Sequence, residues 1–259
     1  MQVGLYMSAA GMQAQELRQA ITTNNLSNTS TTGFKRDLAI VQSRLNAFKE
    51  DSSLAPYRFD APKALLNQGG GVTLNPTQID LTQGSLLQTG NKTDLALEGP
   101  GFFQIQGKDQ KATLTRDGRF LLDREGNLIT AANGKSVLAA DGQPIRLNPL
   151  LPVVISARGE ISQSGDGAAT AQLGIVNVTD ARKLIKLGQN QLTVSDPADL
   201  QPVTTQTLVR QGTLENSSAD PVVEMVNMIE NQRAFEANAR MISFQDQSLQ
   251  QLNQIGRVA

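Results

Sequence analysis

The two ends of this chain are patterned for long helices, and the stretch between them is not. Val3, Met7, Ala10, Ala14, Leu17, Ile21, Asn24 and Asn28 follow one another at alternating steps of four and three. That is the a/d spacing of a heptad seam, and it predicts one amphipathic helix over residues 1–28. About 25 residues at 1.5 Å each make a rod of roughly 38 Å. A helix so long and so narrowly apolar needs a partner in water. The seam turns polar at Asn24 and Asn28. An Asn at an a-type position can fix register at a cost in stability. The run Asn28-Thr29-Ser30-Thr31-Thr32-Gly33 also reads as a stop and a turn.

The C-terminal end mirrors the first. Asp220-Pro221 is an N-cap followed by proline at the first helical position. Glu224 comes one residue late for a strict capping box, but its charge suits a helix N-terminus. Met225, Met228, Phe235, Ala239, Ile242, Leu249 and Leu252 share one stripe, interrupted by Gln232 and Gln245. Val222, Val226 and Ile229 widen it at its start. The expectation is a helix from Pro221 to about Gly256.

Between the helices, residues 37–56 read as weakly helical or irregular. Residues 57–90 are punctuated by Pro, Gly and Asn, with short strands expected near Val72, Leu74, Ile79 and Leu81. Gly69-Gly70-Gly71 reads as a hinge or close backbone approach, because no Lys-Ser/Thr follows to make a phosphate loop. Over residues 91–214 turn signals recur at Asp117-Gly118, Gly126-Asn127, Asn133-Gly134, Asp141-Gly142, Gly159-Glu160 and Gly165-Asp166-Gly167. Short β-prone runs lie between them, which is the punctuation of an all-β sandwich or small barrel. Ala181–Leu187 reads as one or two helical turns after Asp180.

The fold class is therefore α+β. Long terminal helices would form a coiled-coil layer, and the centre would be all-β. Residues 1–36 and 215–259 would make a discontinuous helical domain, 37–90 a linker and 91–214 an outer β domain.

Composition removes whole classes of chemistry. The chain has no cysteine and no histidine. Disulfides, zinc fingers, thiol nucleophiles and a Ser-His-Asp triad are excluded. A metal site would have to be built from carboxylates, carbonyls and water. Formal net charge is −1, so there is no electrostatic footprint for nucleic acid or an anionic membrane. Charged residues are 18% of the chain, and Gln plus Asn supply roughly a sixth. A surface that is polar but weakly charged keeps little repulsion between copies, which favours packing against other chains. No run of apolar residues is long enough for a membrane span. The first residues lack the basic and apolar regions of a cleavable signal peptide.

Candidate chemistry is sparse. Asp117, Asp123 and Glu125 are close in sequence and could do acid–base work or hold calcium. Their places beside Gly118 and Gly126 match turn chemistry better. Lys35-Arg36 is too short for a nucleic-acid patch. No catalytic, cofactor-binding or metal-ligating residue is assigned, and no cofactor or small-molecule substrate is expected. What is left is association. Two narrow seams within one chain can bury only one side of each helix, and further copies would cover the rest. Head-to-tail contacts that do not close on themselves give helical filaments.

Four blocks then carry a resemblance. Residues 24–36, Asn24-Asn25-Leu26-Ser27-Asn28-Thr29-Ser30-Thr31-Thr32-Gly33-Phe34-Lys35-Arg36, resemble the NNLAN-x-x-T-x-GFKR signature of bacterial flagellar rod and hook axial proteins. Ala96–Phe103 is similar to that family's G-x-GFF strand, and Thr115–Thr130 to its TRDG-x-F hairpins. Gln211–Ser217 and Glu224–Asn238 resemble its C-terminal signature. Ser27, Phe235 and Ser217–Asp220 depart from the usual pattern by substitutions conservative for packing, and residues 46–70 match poorly. The Leu184–Leu192 stretch, the length and the Gly256–Ala259 tail look closer to the proximal-rod member than to the distal-rod member, with hook protein third.

The resemblance implies a structural subunit of a tubular axial assembly that crosses the periplasm. It implies self-association, contacts with other axial proteins and export through the flagellar type III apparatus. Asn25, Leu26, Asn28, Gly33 and Phe34 would carry the family motif. Val3, Met7, Ala10, Ala14, Leu17, Ile21 and Asn24 would line the subunit interface with Met225, Met228, Gln232, Phe235, Ala239, Ile242 and Leu249. The competing reading from another class is a carboxylate-based enzyme on the β domain.

Overall fold

Residues 2–43, 72–74, 77–107, 112–163, 169–203 and 207–258 are described by a computed structural model. Gly69-Gly70-Gly71, the divergent stretch 46–70 and the Gly165-Asp166-Gly167 turn lie outside the described residues. The chain divides into two compact units. One contains residues 1–26, 37–78 and 221–259, and the other residues 27–36 and 79–220.

The helical unit holds the N-terminal helix, Gln2–Ser27, and the C-terminal helix, Pro221–Val258. Both fall where the periodicity places them. Proline is favoured at the first helical position because its missing N–H is unpaired there in any case. The stretch expected to be irregular or weakly helical supplies a short strand instead. Val41–Ser43 pairs antiparallel with Val72–Leu74, with Val41 opposite Leu74.

The β unit is organised on a six-stranded antiparallel sheet. Its order is Leu184–Gly188, Gln191–Val194, Ala112–Thr115, Phe102–Gln106, Ile175–Val178, Leu200–Pro202. Side chains alternate across a strand, so the consecutive Phe102 and Phe103 enter different cores. Phe103 and Ile105 pack with Leu95, Leu97, Phe120, Val137 and Ile161. Phe102 and Leu114 pack with Ile79, Val178, Leu184 and Leu192. The rings of Phe103 and Phe120 meet edge to face at 5.2 Å, a favoured aromatic geometry. With both faces covered, the sheet reads as a near-continuous apolar run at Phe102–Ile105.

Hairpins close where the turn signals stand. Phe120–Leu122 pairs with Leu128–Thr130 across Asp123–Asn127, with Leu122 opposite Leu128. Gly118 packs so closely that a Cβ there would lie 1.6 Å from the Leu95 carbonyl oxygen, so only glycine fits. The expected helical turns after Asp180 shrink to one 3-10 turn, Ala181–Lys183, capped by the Asp180 carboxylate. Leu184–Gly188 then runs as a strand, since its Leu184 is needed in the core.

Candidate functional site

Two features stand out, one in each unit. In the β unit the four motif blocks converge on a buried ion cluster. Gly33 has a φ of 67° and donates its N–H to the Glu215 carbonyl at 2.7 Å. A Cβ on Gly33 would lie 2.5 Å from the Arg116 backbone. Both the left-handed conformation and the close approach require glycine. Phe34 is buried, and the Lys186 ammonium sits 4.3 Å from its ring centroid.

Next in the chain, Lys35 donates to Glu215 Oε1 at 2.6 Å and to the Thr82 carbonyl at 2.9 Å. Arg116 Nη1 donates to Glu215 Oε2 and to the Leu97 carbonyl, both at 3.1 Å. Its Nη2 donates to the Gly99 carbonyl at 2.5 Å. Its guanidinium carbon lies 5.5 Å from the Phe102 ring centroid. Glu215 is 1% exposed, Lys35 3% and Arg116 4%.

Lys35 comes from the first block, Gly99 and Phe102 from the second, Arg116 from the third and Glu215 from the fourth. Burial pushes the Lys35 ammonium below its ordinary pKa, and the attraction of Glu215 opposes that shift. Burial likewise lowers Arg116, again opposed by Glu215. One carboxylate therefore serves two desolvated cations.

Sequence reading left these three charges out of the site. Lys35-Arg36 is too short a run to mark a nucleic-acid patch, and Lys35 and Glu215 lie 180 positions apart. The available signal was that each is a charged residue set among the glycines and aromatics of a motif block.

Asn25, by contrast, lies in the helical unit. It is 3% exposed. Its Nδ2 donates to the Asp37 carbonyl and its Oδ1 accepts the Asp37 N–H, both at 2.9 Å. The amide thus imitates a β-ladder partner and ties the last helical turn to the chain that follows residues 27–36. Asn28 accepts from Thr31 through both its carbonyl and its side chain, a turn role. Leu26 is half-buried and Asn24 exposed.

The predicted seams only partly coincide with the sheltered faces. Ala14 and Ile21 are buried, Ala10 and Leu17 half-buried, and Met7 is 41% exposed. The side chain of Val3 lies outside the described residues. The sheltered line instead runs through Ser8, Gly11, Ala14, Thr22 and Asn25. A Cβ on Gly11 would come within 3.1 Å of the Asn238 amide, and Asn231 Nδ2 donates to Thr22 Oγ1 at 3.2 Å.

On the C-terminal helix, Met228, Ala239 and Ile242 are half-buried, while Met225, Gln232, Phe235 and Leu249 are exposed. Asn227, Asn231, Asn238 and Gln245 are half-buried as well, and Glu224 is buried. Asn231 and Asn238 lie on the side of the helix that meets Thr22 and Gly11. A second apolar face, outside the predicted seam beyond its first turns, is left open at Val226, Ile229, Met241 and Phe244 with Met225 at its edge, Phe244 being 66% exposed. On another face, between the two terminal helices, an open groove of ≈ 790 Å³ is lined by Ala9, Met12, Gln15, Gln19 and Phe235, among others. The Oε1 atoms of Gln15 and Gln19 are buried without a hydrogen-bond partner.

The three sequence-adjacent carboxylates serve turns. Asp117 accepts the Arg119 backbone N–H, Nε and Nη2. Asp123 accepts from the Glu125 and Asn127 backbones and from the Asn127 amide. That last bond is the main cause holding its carboxyl below the ordinary range. Glu125 reaches the same Asn127 amide at 3.5 Å. Among the described residues no group of three His, Cys, Asp or Glu is placed to hold a metal, and no helix is long and apolar enough to cross a membrane.

Comparison with known proteins finds relatives for the segments that carry these blocks. Residues 5–35 match the family described as flagella basal body rod protein. Residues 96–165 match the flagellar hook protein FlgE/F/G D1 domain. Residues 210–255 match the flagellar basal body rod FlgEFG protein C-terminal family. The flagellar basal-body rod protein FlgG of Buchnera aphidicola subsp. Schizaphis graminum is 33% identical over 261 residues, covering 97% of this chain and 98% of that one. The rod protein FlgF of Caulobacter vibrioides is 32% identical, covering 92% and 91%. The hook protein FlgE of Helicobacter mustelae is 40% identical over 125 residues, 45% of this chain and 26% of that one. With three family models placed in chain order and a relative matched along almost its whole length, this chain belongs to the flagellar basal-body rod protein family.

Proposed function

We propose that this rod-family chain polymerises with itself and with other axial proteins through its terminal helices, forming part of the shaft that crosses the periplasm. The observation that carries this reading is the apolar stripe left open along the C-terminal helix. Met225, Val226 and Ile229 are 47%, 49% and 53% exposed. Burying a side chain of this kind is worth about 1.5–3 kcal/mol, so covering the stripe in an assembly supplies a sizeable driving force. The groove between the helices adds a second concave face, at which the buried Gln15 and Gln19 Oε1 atoms are left without a donor. Amides can bond between chains without the desolvation cost of charges. Transmission of torque asks for many shallow contacts repeated along an axis, which suits such a face better than a pocket.

The chain would travel unfolded through the flagellar export apparatus, and its helices would complete their folding on assembly. Deletion of residues 2–26 with electron microscopy of basal bodies tests the core of this reading, and the expected result is loss of the rod. Normal rods would refute it. Circular dichroism should show more helix in assembled protein than in monomer, and equal helicity would remove the folding-on-assembly part.

A further inference from the structure

We propose that Lys35 is a positioning residue for assembly, whose task is to tie together the segments by which the chain leaves the β unit. This rests on the rod-subunit reading above. The charge count of the cluster is the starting point. Glu215 offers one negative charge, and Arg116 already neutralises it at 3.1 Å. The Gly84 N–H also donates to Oε1, at 3.0 Å. A second buried cation is surplus to that balance and costs desolvation. Lys35 must therefore bring something other than neutrality.

Its bonds show what that is. Lys35 spans Thr82 and Glu215, two segments distant in sequence. Its neighbour Arg36 extends the same bridge. Arg36 Nε donates to Asp80 Oδ2 at 2.8 Å, the Asp80 N–H donates to the Arg36 carbonyl at 2.9 Å, and the Arg36 N–H donates to Ser218 Oγ at 3.0 Å. The Ser218 N–H donates to the Phe34 carbonyl, also at 3.0 Å. Residues 33–36, 80–84 and 215–218 form one hydrogen-bonded set with Lys35 at its centre. These segments adjoin three of the four divisions between the two units, those at 36/37, 78/79 and 220/221. Lys35 thus holds three exits at fixed spacing on the β unit. A subunit that passes force between its parts needs such exits not to slide.

Full-length protein with Lys35→Met is compared with Glu215→Gln and with Phe244→Asp on the open stripe. Lys35→Met keeps Arg116 and Glu215 paired, so the β unit should melt within about 4 °C of wild type. Glu215→Gln leaves two unpaired buried cations and should lower melting by about 10 °C. Hydrogen exchange in Lys35→Met should speed up about tenfold at the Gly33 and Ser218 amides, with Phe102–Gln106 unchanged. In cells making only the variant, rods should fall about tenfold.

Three results overturn the proposal. They are Lys35→Met melting as low as Glu215→Gln, exchange unchanged at Gly33 and Ser218, or normal rods with Lys35→Met when Phe244→Asp gives none. Normal rods with both Lys35→Met and Phe244→Asp would instead remove the assembly reading on which the proposal rests.

Discussion

The two units differ in how much of themselves they cover. In the β unit charged groups are drawn inside and paired, as at Lys35, Glu215 and Arg116, while Phe103, Phe120 and Ile161 are fully covered. In the helical unit the buried set among the described residues is small and mixed, Ser8, Ala14, Ile21, Thr22, Asn25 and Glu224, and Ile229, Met241 and Phe244 stand more than half exposed. The β unit closes by joining segments far apart in the chain, so its core is complete without a second copy. The helical unit has enough sheltered contact to set a face, but its larger apolar area is still open. In the reading proposed above, the β unit finishes its own core and the helical unit keeps a face that assembly would cover.

The strongest way to break this contrast is at Glu215. Replacing it with Gln strands two cations in a desolvated site, a defect worth about 3–5 kcal/mol. The loss should appear in the melting of the β unit, measured by calorimetry on the full chain. A small effect would mean that water reaches the cluster and that the closed description is wrong.

A smaller loss is expected in the other unit from Asn25→Ala. The Asp37 N–H and carbonyl would lose both partners, and leaving such groups unsatisfied costs about 1–3 kcal/mol. Exchange at the end of the N-terminal helix should accelerate while Phe102–Gln106 stays protected. Equal acceleration in both places would show that the units do not open separately. Smaller again, Ile229→Asp should leave monomer stability within about 0.5 kcal/mol, as usual for surface changes. It should raise the concentration needed for assembly at least about tenfold, or 1.4 kcal/mol. Assembly at the wild-type concentration would show that the open stripe is not the covered face.

Much of this organisation is legible in the residues, and the parts that are not share a cause. Helix ends are local, so Asn28–Gly33 and Asp220-Pro221 mark them within a residue or two. Hairpins are local as well, and Asp123 to Asn127 announces its turn directly. The orientation of the C-terminal helix is not local. A heptad pattern places Phe235 and Leu249 in a seam, but it carries no information on whether the seam is closed by the same chain or by another. Here Asn231 and Asn238 take the intrachain side, because Thr22 and Gly11 meet them there. The ion cluster is the extreme case. Arg116 and Glu215 are 99 positions apart, and nothing near either one in sequence says that a buried partner is coming. Their motif blocks are legible, but the convergence of the blocks is a property of the sheet.

The smallest predicted effect concerns pH and sharpens the same comparison. Burial lowers the pKa of Lys35 below the ordinary value of 10.5, against the pull of Glu215. In the unfolded chain the ammonium is solvated and titrates near 10.5. Between the folded and unfolded values the unfolded chain binds more protons, so stability must rise with pH through that window. Read in the other direction, the Lys35 contribution is present above 10.5 and is lost as pH falls through the folded value. Lys35→Met has no such proton to release. The melting temperature of wild type minus that of Lys35→Met should therefore climb, by a few degrees at most, as pH approaches 10.5 from neutrality. Titration of other lysines is common to both proteins and cancels in the difference. A difference that fell with pH would mean that the Glu215 contact outweighs burial. Lys35 would then be an ordinary stabilising partner, and the surplus cation argued from charge balance would lose its physical basis.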